Sequence, residues 1–275
     1  MHTEHRKTEV QKGGKMRLGL VTYNLAKGWD IPKILQMCEK TGFEGVELRT
    51  THAHGVEVTL GKGERERVRK QFEDSPVELV GLGSAFEYHS PDPDEVRRNI
   101  EGTKEYVVLA HDVGAPGVKV RPNGFPPPEL GIPKEKTLEQ IGLALRECGE
   151  FAQNYGVQIR LEVHGRETCK LPYIKRMLEV ADHPNVFVCW NSNPTDVDEA
   201  TGSIRPNFDL VRDRIGLVHI TELWQEAYGG YPYRELFGLL KDVGYKGFCC
   251  AEIPESPEPE RLMRYYRALF LAYSQ

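Results

Sequence analysis

The sequence predicts an α/β protein that closes as a single-domain (β/α)8 TIM barrel, on three observations. From Arg17 onward, short apolar β-branched runs alternate with amphipathic stretches, eight of each, the signal of repeated βα units around a parallel sheet. The strand-like runs are nearly continuously apolar, as strands covered on both faces are. The chain has 275 residues, close to the roughly 250 that such a barrel uses, and an open sheet that wide is less common.

The expected strands are 18–23, 45–49, 78–83, 117–121, 158–163, 186–191, 216–221 and 247–252. The helices between them carry boundary signals. Ser90-Pro91-Asp92-Pro93-Asp94 opens the third, Val96, Ile100, Thr103, Val107 and Ala110 recur on one face, and Gly114 closes it. The fourth runs from Lys134 to Tyr155 with Leu138, Ile141, Leu145, Cys148 and Ala152 inward and Gly156 as the stop. Arg121 to Pro128 is too rich in proline for either element and reads as a rigid lip at the barrel mouth. Residues 1–15 are polar and aperiodic, a disordered leader with Met16 a plausible alternative start, and the barrel domain spans 16–275.

Composition narrows the function classes. With 39% hydrophobic and 28% charged residues the chain can bury a sizeable core. A net charge of -5 and no Lys/Arg stripe disfavour a nucleic-acid partner. No apolar run reaches the ~18 residues that span a membrane, and the N-terminus lacks a signal-peptide core, so a cytoplasmic protein without a membrane partner is expected. The six cysteines form no CxxC pair, which fits a reduced compartment and argues against a thiolate zinc site. A homo-oligomer is compatible with these features.

Chemistry concentrates at the strand ends. Glu162, Asn191, His219 and Glu252 end four successive strand-like runs, and the C-terminal ends of barrel strands share one pocket. Alternation puts Glu162 with His164, Lys119 with Arg121, and Glu47 with Arg49 on common sides, while Trp190 points away from Asn191 toward a helix. Charges at the ends of apolar strands are costly unless paired or metal-bound. A water-exposed rim of ion pairs is the plain alternative for any one of them, and a weak one for Glu162, His219 and Glu252 together. Two glutamates, an imidazole and the Asn191 amide oxygen form a mostly oxygen set suited to one divalent ion, Mn²⁺, Mg²⁺ or Co²⁺ foremost, with Zn²⁺ also compatible. Either glutamate could then move a proton at a carbon beside a carbonyl, one on each face of a bound sugar.

Phe43-Glu44-Gly45-Val46-Glu47-Leu48-Arg49, Leu161-Glu162-Val163-His164-Gly165, Val218-His219-Ile220-Thr221-Glu222 and Ala251-Glu252 together resemble the sugar phosphate isomerase/epimerase family of xylose isomerase-like TIM barrels. Each motif is short, so the weight lies in their order along nearly the whole chain after Met16. The resemblance implies a metal held by Glu162, Asn191, His219 and Glu252, with Glu162 and Glu252 as the acid/base pair. Two departures stand out: Asn191 and Pro194 replace the Asp and later His usual in the family, and His219-Ile220-Thr221-Glu222 replaces His-x-Lys-Asp. Losing a negative charge at 191 should weaken metal binding.

The function expected is a metal-dependent sugar isomerase or epimerase acting by proton transfer next to the carbonyl of a keto sugar or related polyol. A keto-sugar or keto-cyclitol dehydratase shares its first step, and a non-catalytic sugar binder is the reading if the ion is lost. DNA-repair endonucleases of the superfamily use more His and acidic ligands and a basic groove, against nine histidines and a net charge of -5 here. Glu47, His89, Lys119, Arg121, His164, Glu222 and Trp224 are the expected carbohydrate contacts, with Tyr23 beside Trp224 as an apolar wall. Salt bridges from Lys119 and Arg121 to Glu162 or Glu87 are the alternative for that pair. His52 and His54 read as solvated loop residues, and His111 and His183 as structural helix residues.

Overall fold

A computed structural model describes residues 15–275; the leader expected at 1–15 lies, apart from Lys15, outside the described residues. Eight parallel strands run in sequence order into a closed barrel: β1 (Arg17–Val21), β2 (Gly45–Arg49), β3 (Glu78–Glu87), β4 (Gly117–Arg121), β5 (Gln158–Glu162), β6 (Val186–Trp190), β7 (Ile215–Ile220) and β8 (Phe248–Ala251). Closure comes from β1 against β8, with Gly19 opposite Cys250. The surrounding helices are α1 (Ile31–Thr41), α2 (Lys62–Glu73), α3 (Pro93–Val113), α4 (Lys134–Gln153), α5 (Leu171–Ala181), the short α6 (Arg205–Phe208), α7 (Tyr233–Asp242) and α8 (Pro259–Tyr273).

The expected boundary signals act as written. Asp92 caps α3 by accepting from the Asp94 amide at 2.9 Å, Pro93 opens it, and Gly114 ends it at φ 86°. All five expected inward residues of α3 are buried, and so are the five of α4. Gly156 takes φ 67° two residues after the Asn154 cap of α4. Only the second and fourth strands match the expected bounds in full; the first spans 17–21 rather than 18–23 and the seventh 215–220 rather than 216–221. The third strand continues to Glu87, and the fifth, sixth and eighth stop one residue short, so Asn191 and Glu252 sit just beyond their strands.

Apolar burial divides in two. The large core lies between the barrel wall and the helices, where Trp190 packs on Phe208 of α6 with ring centroids 5.6 Å apart. A second cluster, Val21, Val80, Cys189, Leu217, Phe248 and Cys250, is separate from it. Cys189 and Asn191 share a strand face by alternation, as do Leu217 with His219 and Cys250 with Glu252. This second cluster therefore fills the barrel interior beneath the polar strand ends. Glycine makes the room: a Cβ on Gly45 would lie 2.5 Å from Val80, and one on Gly117 would lie 2.5 Å from Arg160. All six cysteines are free and buried. No helix among the described residues is long and apolar enough to cross a membrane.

Candidate active site

Four strand ends meet at the floor of the barrel mouth. His219 on β7 is fully buried, and its Nε2 lies 3.2 Å from Oε2 of Glu47, which is 1% exposed on β2. On the other side of the ring, Nδ1 lies 3.3 Å from Glu162 Oε1 and 3.7 Å from Glu252 Oε1. Neither approach makes a hydrogen bond, so Nδ1 is a buried nitrogen without a partner. Glu162, His219 and Glu252 bring ligand atoms within 4.8 Å of one another. The arrangement has a simple consequence for the tautomer. With Nε2–H donated to Glu47, Nδ1 points at the two carboxylates and would offer its lone pair to a bound cation, as in carboxylate–histidine–metal sites. Otherwise the raised proton affinity of His219 favours a proton on that nitrogen. The donor set fits a divalent ion.

Lys119 on β4, also buried, donates to Glu162 Oε2 at 2.7 Å. Burial works against the Glu162 carboxylate, yet Lys119, His219 and His164 overcome it and hold its pKa well below the usual range. Glu252 goes the other way: burial raises it, and the nearby Glu162 adds to that against the opposing pull of His219. Burial likewise opposes the charge on His219, but its surroundings, Glu47 and Glu162 among them, push its proton affinity up. Glu47 stays low, because His219 and Lys119 outweigh its desolvation.

Asn191 contacts Glu162 through its amide nitrogen, at 3.4 Å, while its Oδ1 accepts from the Ser192 amide at 2.9 Å. These two partners fix the amide orientation, since the carboxylate needs a donor and the backbone N–H needs an acceptor. Asn193 ties this loop down by donating to Val163 O at 2.7 Å.

A second polar group lines the β3–β5 side. Arg121 Nη2 lies 3.7 Å from Glu87 Oε2 and 3.3 Å from Ala85 O, while Arg121 Nε, His89 Nδ1 and His164 Nδ1 are buried without partners. Burial depresses the His164 pKa, with Arg121 and Lys119 adding to that effect and Glu162 opposing it. The loop after β4, irregular from Pro122 to Pro127, presses on the loop after β5: a Cβ on Gly165 would sit 2.5 Å from Asn123 Cα. Glu222 caps a 3-10 turn, Leu223–Tyr228, and accepts from Gln225. Trp224 in that turn is 50% exposed and edge-on to Tyr228.

Lys119 and Arg121 make the ion pairs that the sequence offered as an alternative, to Glu162 and Glu87 respectively. The histidine expectations need correction. His54 is buried rather than solvated, because Arg49 O and the Val56 amide both engage its ring. His183 follows α5, where its Nδ1 accepts from the Asn185 amide; His111 does lie in α3. One buried network escaped the sequence reading. Trp190 Nε1 donates to Tyr231 Oη at 3.1 Å, Tyr231 donates to Asp196 Oδ2 at 2.9 Å, and burial pushes the Asp196 pKa up to about 7. Asn193-Pro194-Thr195-Asp196 looks like a surface turn, so nothing in the sequence marks this acid as buried.

A family profile described as a xylose isomerase-like TIM barrel matches residues 35–270. The chain belongs to that family. The chain is similar to the inosose isomerase of Halalkalibacterium halodurans, 22% identical over 240 residues that cover 82% of this chain and 83% of that one. It superposes on the 3-keto-D-glucoside 4-epimerase of E. coli with a TM-score of 0.76 at 17% identity, over 94% and 100% of the two chains. It also superposes on the IOLI protein, whose crystal structure holds a zinc atom, with a TM-score of 0.75 at 17% identity over 94% and 98%. At these identities the superpositions establish the shared barrel.

Proposed function

We propose that this xylose isomerase-like barrel is a divalent-metal-dependent isomerase or epimerase that moves a proton at the carbon next to the carbonyl of a keto sugar or related polyol. One observation carries the reading: Glu47 holds the His219 ring so that its partnerless Nδ1 faces Glu162 and Glu252. Glu162, His219 and Glu252 would hold the ion, with Asn191 beside them. When bound, it would supply Lewis acidity to a carbonyl or a pair of sugar oxygens. The names of the relatives, an inosose isomerase and a keto-glucoside epimerase, support a carbohydrate or cyclitol ketone as substrate.

Glu162 and Glu252 share the two proton-transfer tasks, one taking the proton from carbon and the other returning it from the opposite side. Lys119 keeps Glu162 ionised and fixes one of its oxygens. Glu252, with its proton affinity raised, is the member suited to carry a proton. His164, two residues beyond Glu162, carries a buried Nδ1 without a partner, and burial favours its neutral ring, which suits it to hydrogen-bond a sugar hydroxyl. The likeness to a probable 3-DHS dehydratase from Bacillus anthracis supports dehydration as the second reading. Incubating the metal-loaded protein with keto sugars and inososes in D2O tests both. Solvent deuterium in an epimer or isomer supports the first, an unsaturated ketone supports the second, and no exchange with any of them contradicts the proton-transfer reading.

A further inference from the structure

The β1–β2 corner of the mouth holds a cation that, among the described residues, meets an aromatic ring but no carboxylate. Arg49 ends β2 on the same face as Glu47, about 6–7 Å nearer the mouth at roughly 3.3 Å per residue. Lys119, Arg121 and Lys27 each meet a carboxylate, on Glu162, Glu87 and Glu255 respectively. Among the described residues no acid pairs with the half-buried Arg49 guanidinium, which lies 5.1 Å over the Tyr23 ring. Glu57, the acid of the adjoining loop, is committed elsewhere: it accepts from the Thr51 amide at 2.6 Å, from the Thr50 hydroxyl at 3.0 Å, and from Tyr106. Those bonds hold Thr51, a β-branched residue, at φ 65°. The loop is thereby kept in a shape that an unconstrained chain would leave.

The same corner fixes a second donor. Thr22, fully buried, accepts from the Arg49 amide at 2.9 Å and lies 2.9 Å from His52 Nδ1. With no other acceptor for it among the described residues, the Thr22 hydroxyl gives its proton to Nδ1, which leaves the ring hydrogen on Nε2. Burial, and then Arg49 and His54, lower the His52 pKa to about 4, so that tautomer persists at neutral pH. The ring is stacked beside Tyr23, 6.5 Å between centroids at 13°. The Arg49 guanidinium, His52 Nε2–H and the Tyr23 hydroxyl are thus three donors on side chains that neighbour one another, and among the described residues none of the three is in an ion pair.

We propose that Arg49, His52 and Tyr23 form a subsite for an oxyanion on the substrate, a carboxylate or a phosphate several bonds from the reacting carbon. On this inference, which rests on the keto-sugar reading above, the substrate is an acidic keto sugar or polyol and Arg49 sets that specificity.

Binding tests it without turnover. Calorimetric titration of the metal-loaded protein with D-fructose, 5-keto-D-gluconate and D-fructose 6-phosphate compares a neutral, a carboxylated and a phosphorylated ketose. At least one anion should bind about tenfold more tightly than fructose, and Arg49→Gln should erase that preference while leaving fructose binding unchanged. Whichever anion gains identifies the group. Arg49→Lys should keep part of the preference, and His52→Gln, a second variant should Arg49→Gln fold poorly, should reduce it. Equal binding of all three sugars, or a preference that survives Arg49→Gln, would overturn the subsite. Turnover of fructose without any anion preference would sink the subsite and leave the isomerase reading intact. An Arg49-dependent preference with no proton exchange would do the reverse.

Discussion

At the floor of the pocket, Glu47, Lys119, Glu162 and His219 are buried and each lies within 3.3 Å of an opposite partner; at the β1–β2 corner, Arg49 stacks on an aromatic ring and meets no acid. Both arrangements sit on strand ends of one barrel, yet they answer charge differently. The floor is a closed set in which every ion is stabilised by another, because an isolated buried charge would neutralise or unfold the site. What the floor leaves open is the His219 nitrogen between two carboxylates. The corner is nearer water, with Tyr23 exposed and Arg49 and His52 half-buried. The difference separates a reacting centre held internally from a recognition site completed from outside.

The largest effects should come from breaking the floor. Glu252→Gln should lower turnover about a thousandfold or more with little change in Tm, since Glu252 pairs with no lysine or arginine. Glu162→Gln should lose as much activity and also lower Tm, because it strips the buried Lys119 of its partner. Equal Tm values for the two variants would show that the Lys119 pair carries no structural load. Near-normal activity in either would remove that glutamate from the acid/base pair.

Glu47→Gln keeps an acceptor for His219 Nε2–H but removes the charge behind the ring. Metal affinity should fall about 10–100-fold in a Mn²⁺ titration, and an unchanged affinity would mean that the ring needs no orienting carboxylate. Asn191→Asp should tighten Mn²⁺ binding, by roughly tenfold for one added charge on the donor set. Unchanged affinity there would mean that position 191 contributes no ligand, in keeping with an oxygen already engaged by Ser192.

The smallest effect belongs outside the pocket. Asp196 has a folded-state pKa raised to about 7, so between its unfolded value near 4 and pH 7 the folded protein binds more protons than the unfolded one. Stability from this group is then present at low pH and lost as pH rises through that window. Asp196→Asn should raise Tm at pH 8.5 by roughly 2–4 °C for each kcal/mol recovered, and little at pH 5. A gain of equal size at both pH values would contradict the assignment.

The barrel was legible because its signals are local: β-branched runs, prolines and aspartates before helices, glycines after them. Glu162, His219 and Glu252 were legible because strand alternation and the barrel rule carry distant residues to one mouth, and the structure gathers all three. The orienting role of Glu47 toward His219 was not, since residues 172 positions apart share no local pattern. Nor were the amide orientation of Asn191 and the burial of Asp196, which depend on neighbouring backbone groups. Nor was the corner at Arg49, because which cations of the mouth meet an acid depends on where the fold puts Glu162, Glu87 and Glu255.

The proposed chemistry requires a divalent ion held by Glu162, His219 and Glu252. Calorimetric titration of Mn²⁺ into metal-stripped protein should show one site per chain that is lost in His219→Gln. Failure of Mn²⁺, Mg²⁺, Co²⁺ and Zn²⁺ all to bind the unaltered protein, or wild-type affinity in His219→Gln, would contradict it.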